Sequence, residues 1–245
     1  MKKILIMGAS SGIGRRVAEE LASRGIMVGA AARNEKALVE LKEKYPDTVV
    51  TEQIDITSFD APERMQELIG KMGGMDIYFH VSGIGYENPD LDPALEAEVI
   101  NTNAGGFARM MSNAYNYFKQ NGGKGHLVGL TSVAGTNGIG DMAAYSASKR
   151  CAAQYMVGLE QRANDEDLDL KFTDIRPGWV RTPLLNDGKE YPMEMTLEEC
   201  VPLVIRAIVK APRVAVINWK FNLLVGLWRL IPTGLWVKMK VEQGI

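Results

Sequence analysis

The stretch "KILIMGASSGIG", residues 3–14, joins an apolar run to glycines at 8, 12 and 14. The apolar run reads as a buried strand, and "RRVAEELASRG" (15–25), which follows, reads as a helix. Glycine reaches backbone angles closed to other residues and lets the main chain approach a ligand closely. A strand, a glycine turn and a helix start make a phosphate cradle, because the first helical N–H groups are unpaired and the helix dipole favours an anion there. Gly8, Ser10, Ser11, Gly12, Ile13 and Gly14 are the residues such a cradle would use. The plainer alternative is a helix capped by Ser10 or Ser11, with the glycines merely closing a turn.

Outward from this stretch, strand-like runs recur at "KILIM", "IMVGAAA", "TVVTEQI", "DIYFHV", "GHLVGLT", "KFTDI" and "RVAVI", with mostly amphipathic helical stretches between them. Such alternation predicts an α/β fold, a doubly wound parallel sheet of about seven strands with helices on both faces. No linker, low-complexity segment or repeat marks a boundary, so residues 1–245 read as a single domain. In that architecture ligands bind beyond the carboxyl ends of the strands, near the switch in strand order.

Composition narrows the function. With 28 basic and 30 acidic residues and dispersed positive charge, the chain carries no electrostatic footprint for nucleic acid. The two cysteines, Cys151 and Cys200, lie far apart, and the only histidines are His80 and His126, which suggests neither a disulfide framework nor a metal site. No uncharged stretch reaches the ~20 residues of a spanning helix, and the first strand begins at once, so a cytoplasmic location is expected.

The strand ends carry the chemistry. After "AAARN", the position where an NAD site places a carboxylate is Ala32, and Arg33 follows. A guanidinium there suits the 2′-phosphate of NADP through forked, charge-assisted hydrogen bonds; by itself it is also an ordinary solvated arginine. The fifth strand ends in "LTSVAG", and "YSASK" follows, with Tyr145 and Lys149 four apart on one helical face. At ~5 Å and an effective dielectric of ~20, the ammonium would favour the phenolate by about 3 kcal/mol, roughly two pKa units. Ser132 at the strand end would align a substrate oxygen with the tyrosine.

In the order and spacing of these motifs the chain resembles the short-chain dehydrogenase/reductase family over essentially its whole length, which implies a Rossmann-type fold. The resemblance implies that Asp55 and Ile56 of "IDIT" contact the adenine edge and that Asn103 of "NTNAGGF" is the active-site asparagine. It makes Ser132, Tyr145 and Lys149 the rest of a catalytic tetrad, with Tyr145 and Lys149 also touching the cofactor. In "RPGWVRTPL", Thr182 is expected to bind the nicotinamide carboxamide, with Pro177, Gly178 and Val180 shaping its pocket; Gly83 lets the backbone pass near the cofactor. The implied function is NADP(H)-dependent interconversion of a carbonyl and an alcohol, with tyrosine as general acid/base. A non-catalytic NADP(H) sensor, or a redox-neutral epimerase or dehydratase of the same superfamily, would use parts of the same set.

Three features depart from the family pattern. Met7 stands where a threonine is usual, and His80-Val81-Ser82-Gly83 replaces an Asn-Asn-Ala-Gly turn, with His80 read as structural. The closing strand with its Asp-Gly-Gly ending is absent. Instead Leu224, Leu227, Trp228, Ile231, Leu235 and Met239 recur at helical spacing, with Arg229, Lys238 and Lys240 off the stripe. Pro232 and Gly234 argue against one straight helix. This tail, 222–245, reads first as a last helix on its own core; a pocket cover, a subunit interface and a lipid surface are the alternatives. Residues 184–200 are expected to wall the substrate pocket with apolar, adaptable side chains including Leu184, Leu185, Tyr191, Met193 and Met195, favouring an apolar small-molecule carbonyl. The family pattern implies a homodimer, extended to a tetramer in some members, built on the helices carrying Asn103 and Tyr145. Phe107, Met110, Met111 and Tyr115, with Ala153, Met156 and Val157, could supply that contact or the core.

Overall fold

A computed structural model describes residues 2–185 and 191–239. Seven parallel strands form one sheet: β1 (Lys3–Met7), β2 (Met27–Ala32), β3 (Val49–Gln53), β4 (Ile77–His80), β5 (Lys124–Leu130), β6 (Asp169–Arg176) and β7 (Val214–Val216). Their order is β3-β2-β1-β4-β5-β6-β7. The order reverses between β1 and β4, which opens a crevice at their carboxyl ends. All seven expected strands are present, and the doubly wound parallel architecture is the observed one.

The helices follow the alternation: α1 (Gly12–Ser23), α2 (Glu35–Lys44), α3 (Ala61–Met72), α4 (Pro93–Ile100), α5 (Phe107–Gln120), α6 (Ala143–Asp165), α7 (Leu197–Lys210), α8 (Trp219–Trp228) and α9 (Thr233–Trp236). Side chains alternate across a strand, so β1 sends Ile4 and Ile6 into a core with α1, α2 and α7, and Leu5 and Met7 into a second core with α3, α5 and α6. Burial on both faces explains the uninterrupted apolar character of the central strands.

Between α4 and α5 the helix widens into a π-helical turn, Asn101–Gly106, a local form that concentrates at functional sites. Asn103 lies within it. On α5, Phe107, Met110, Met111 and Tyr115 are buried in the second core, as are Met156 and the neighbouring Ala152 on α6. These positions therefore belong to the interior of the chain itself; of the set weighed for a subunit contact, Val157 is exposed.

The tail breaks at Pro232 into α8 and α9. Phe221 and Val225 are buried with Val133, and Trp236 donates from Nε1 to the Gly138 carbonyl at 2.7 Å. Asn137 donates from its amide to the Trp228 carbonyl at 3.2 Å, so two bonds pin the tail to the loop after Ser132. The segment thus covers part of its own core, yet much of its stripe, including Leu227, Leu235 and Met239, stays exposed. Within the 184–200 segment, residues 186–190 lie outside the described residues, as do Lys240 and the rest of the tail beyond it.

Candidate active site

Where β1 meets α1, Gly8 adopts φ +109°, and a Cβ there would lie 2.6 Å from the Ser82 nitrogen. A Cβ on Gly14 would lie 2.1 Å from the Gly8 carbonyl oxygen. Both positions therefore require glycine, and the turn hugs the end of β4. Ser11 occupies the cap position of α1 but its side chain makes no capping bond, and the first turn holds no acidic residue. The serine side chains thus leave the start of the helix uncapped, as an anion cradle requires. Across it stands Thr182, with side-chain carbons 3.5 Å from where a Cβ of Gly12 would be. Ser10, beside Ser11 in the same turn, makes no side-chain hydrogen bond among the described residues.

At the ends of β2 and β3 sit the two candidate nucleotide-edge residues. Ala32 is buried, and Arg33 is exposed, with no hydrogen bond or ion pair from its guanidinium among the described residues. Asp55 accepts from the Thr57 backbone at 2.9 Å and from its hydroxyl at 2.7 Å. Burial works against ionisation of Asp55, but the Thr57 bonds, helped by Arg33, outweigh it and hold the carboxyl below its usual range. Ile56 turns its side chain into the second core, against Gly106 of the π-helical turn.

Ser132, Tyr145 and Lys149 meet at the end of β5. Ser132 Oγ accepts from Ala134 N at 3.1 Å, and its hydroxyl acts on the Tyr145 phenol, drawing its pKa down. One turn of α6 brings Lys149 Nζ to 5.6 Å from the centre of the Tyr145 ring. Lys149 donates to the Leu130 carbonyl at 3.3 Å. A Cβ on Gly83 would be 3.0 Å from Asn103 Oδ1 and 3.3 Å from Lys149 Nζ, so this loop passes directly against both side chains. Asn103 accepts from Ile84 N at 2.8 Å, and donates to Ile84 O at 2.7 Å and to Ser148 Oγ at 3.2 Å.

The electrostatics differ from the Coulombic expectation. Burial raises the Tyr145 phenol above its ordinary value, and the Ser132 hydroxyl offsets this only in part. The same burial lowers Lys149 to about 8, against the opposing pull of Asp174. Desolvation sets both directions because both groups sit inside the protein. Burial thus favours the neutral form of the Tyr145 phenol.

The cavity beside these groups measures about 200 Å³ and takes Tyr145, Ser132 and Lys149 as its polar wall. Ile13, Gly83, Pro177, Gly178, Val180 and Thr182 also border it, which joins the cradle to the reacting groups. Its apolar wall includes Trp179, Met193, Leu184 and Leu185, and from α8 Phe221, Leu224 and Trp228. Tyr191 stacks on Trp179 with ring centres 4.4 Å apart, and Met195 is buried beside Val180, with which it forms an isolated bridge.

Sequence reasoning passed over Asp174 and Thr131. Asp174 is buried, accepts from the Thr131 hydroxyl, and pairs with Arg176 at 2.6 Å. The signal was present, since a carboxylate at an inward position of the apolar run "KFTDI" needs a partner. His80 is fully buried at the end of β4, its Nδ1 2.8 Å from the Tyr78 hydroxyl and its ring edge-on to Phe107. Burial, reinforced by Lys149, lowers His80 to about 3, and Nε2 has no partner among the described residues. The bracing beside Met7 comes from the main chain: Val81 N and Ser82 N both donate to the Met7 carbonyl, at 2.9 and 2.8 Å.

Comparison with known proteins agrees with this geometry. The family model for short chain dehydrogenases matches residues 2–191. An uncharacterized oxidoreductase of Myxococcus xanthus is 32% identical over 239 residues, covering 94% of this chain and 93% of the relative. One from Mycobacterium tuberculosis is 31% identical over 244 residues, covering 96% and 95%. Among solved structures, a short-chain dehydrogenase from Burkholderia cenocepacia in complex with NADP superposes with a TM-score of 0.79 at 21% identity, covering 95% of this chain and all of that one. ElxO with NADP bound superposes with a TM-score of 0.78 at 21% identity, covering 91% and 99%. With the family model, the full-length relatives and the fold in agreement, this chain belongs to the short-chain dehydrogenase family of oxidoreductases.

Proposed function

We propose that the chain reduces an apolar ketone or aldehyde to the alcohol, reversibly, with NADP(H) as cofactor. The observation that carries this reading is that Ser132, Tyr145 and Lys149 share one cavity wall with Gly83 and Thr182, next to the glycine cradle, whose tight turn admits no Cβ at Gly8 or Gly14. That cradle fits a dinucleotide phosphate, and the unpaired Arg33 fits a 2′-phosphate. NADP in the structural relatives' complexes supports the same choice.

Gly8, Ser10, Ser11, Gly12, Ile13 and Gly14 would hold the phosphates, Arg33 the 2′-phosphate, Asp55 and Ile56 the adenine edge, and Thr182 the carboxamide. When bound, the nicotinamide supplies the hydride that reduces the carbonyl carbon and takes it back in the reverse direction. Ser132 donates a hydrogen bond to the substrate oxygen, and Tyr145 gives that oxygen its proton as the C=O bond becomes C–H and O–H. Lys149 would hold the cofactor ribose and stabilise the phenolate left behind, which helps Tyr145 give up its proton; the phenolate then takes a proton back from solvent. Asn103, its amide engaged with Ile84 and Ser148, would support a water that connects Lys149 to solvent for return of the proton. Trp179, Phe221, Leu224 and Trp228 select an apolar substrate by excluding water from this wall.

The deciding experiment is stoichiometric. Across a panel of apolar and small polar carbonyls, NADPH consumed should equal alcohol formed, with apolar members turned over best. Product without net NADPH consumption would assign a redox-neutral reaction, and binding without turnover a sensor.

A further inference from the structure

We propose that the outer face of α8 and α9 docks on an anionic lipid surface. α8 is apolar on two opposite faces, with Lys220 and Asn222 exposed between them: Phe221, Leu224, Val225 and Trp228 face inward, while Trp219, Leu223 and Leu227 face out. A surface helix ordinarily sets a single apolar stripe against its core, so a second, outward apolar face calls for a cover. Here half of it is uncovered, with Trp219 73% exposed and Leu230, just beyond the helix, 79%. Leu235 and Val237 continue the exposed surface through α9, and Val237 is 71% exposed.

Charge chooses the occupant. From residue 200 to residue 241 the sequence has no Asp or Glu, in a chain whose net charge is −2. Lys220, Arg229 and Lys238 are exposed around the apolar face and form no ion pair among the described residues. A second copy docked symmetrically would set these cations against their own counterparts, whereas an anionic headgroup layer neutralises them. Tryptophan and leucine at the centre with lysine and arginine at the margin is the composition of a helix lying in the headgroup region. At ten residues α8 is about 15 Å long, half of a bilayer's ~30 Å core, so it lies in the plane and does not cross.

The test is co-sedimentation of the full chain with mixed phosphatidylglycerol–phosphatidylcholine vesicles and with pure phosphatidylcholine, with no substrate or cofactor present. Binding should require the anionic lipid, weaken with salt, and shift tryptophan emission to the blue. Each of Lys220→Ala, Arg229→Ala and Lys238→Ala should lower partitioning about fivefold, and the Leu223→Gln/Leu227→Gln double variant at least about tenfold. Both leucines are exposed and lie off the cavity wall, so thermal melting and turnover in solution should stay those of wild type. No binding to anionic vesicles, equal binding to pure phosphatidylcholine, or unchanged binding by the double variant would each overturn the proposal. A dimer that the double variant abolishes, with no vesicle binding, would give the face to a second copy.

Discussion

The ring of Phe221 fills the space that a side chain at residue 178 would take: a Cβ on Gly178 would come within 2.1 Å of Phe221 Cε2. The tail is thereby locked onto the loop after β6, and the cavity wall depends on that contact. Gly178→Ala should destabilise the protein by about 1–3 kcal/mol, the cost of overpacking, and raise KM for apolar substrates more than it lowers kcat. Adding Phe221→Leu should restore part of both. Urea titration and steady-state kinetics measure this; wild-type behaviour of Gly178→Ala would mean that α8 does not press on the loop in solution.

Replacing Tyr145 by Phe removes the phenol from the cavity wall while leaving the ring. Turnover of any carbonyl should fall about 10²–10⁴-fold, the range for losing a general acid, while NADPH affinity, read by fluorescence, changes little. Near-normal turnover in the variant would sink the proposed chemistry.

Cofactor preference rests on Arg33. Arg33→Ala should weaken NADPH binding by ~1.5–3 kcal/mol and hardly change NADH binding. An equal loss for both cofactors would place Arg33 in the fold or the adenine pocket instead.

The His80 shift sets a dependence on acid. Its folded pKa is about 3 against 6.5 when unfolded, so between those values the unfolded chain binds more protons and stability rises with pH. The contribution is full above pH 6.5, is lost on acidification towards pH 3, and amounts to about 5 kcal/mol at most. His80→Asn should flatten the stability curve over that window relative to wild type, in chemical denaturation at a series of pH values. Parallel curves would show that His80 is not buried neutral.

Periodicity read the sheet well because the strands are buried on both faces: "KILIM" and "DIYFHV" have no polar face to blur them. Tyr145 and Lys149 were legible because four residues on a helix always share a side. Their electrostatics were not, since spacing gives the distance between two charges but not how far both are from water, and burial decided the sign for Tyr145. Phe221 and Trp228 on the cavity wall were hidden for a related reason. A stripe of apolar residues states that something is covered and leaves open what; only the contact with Gly178 tells.

Asn103 meets Ile84 as one strand meets another, taking its N–H with Oδ1 and giving Nδ2–H to its carbonyl. A side-chain amide carries the same donor and acceptor as a peptide group, so it serves as a one-residue rung where β4 has already ended at His80. The loop under Lys149 is consequently hung at two points, from the sheet at Val81 and Ser82 and from the helix at Ile84. A push on the π-helical turn, from solvent or from a neighbouring molecule, would travel through two hydrogen bonds to Gly83 and reach the reacting groups without disturbing a single strand.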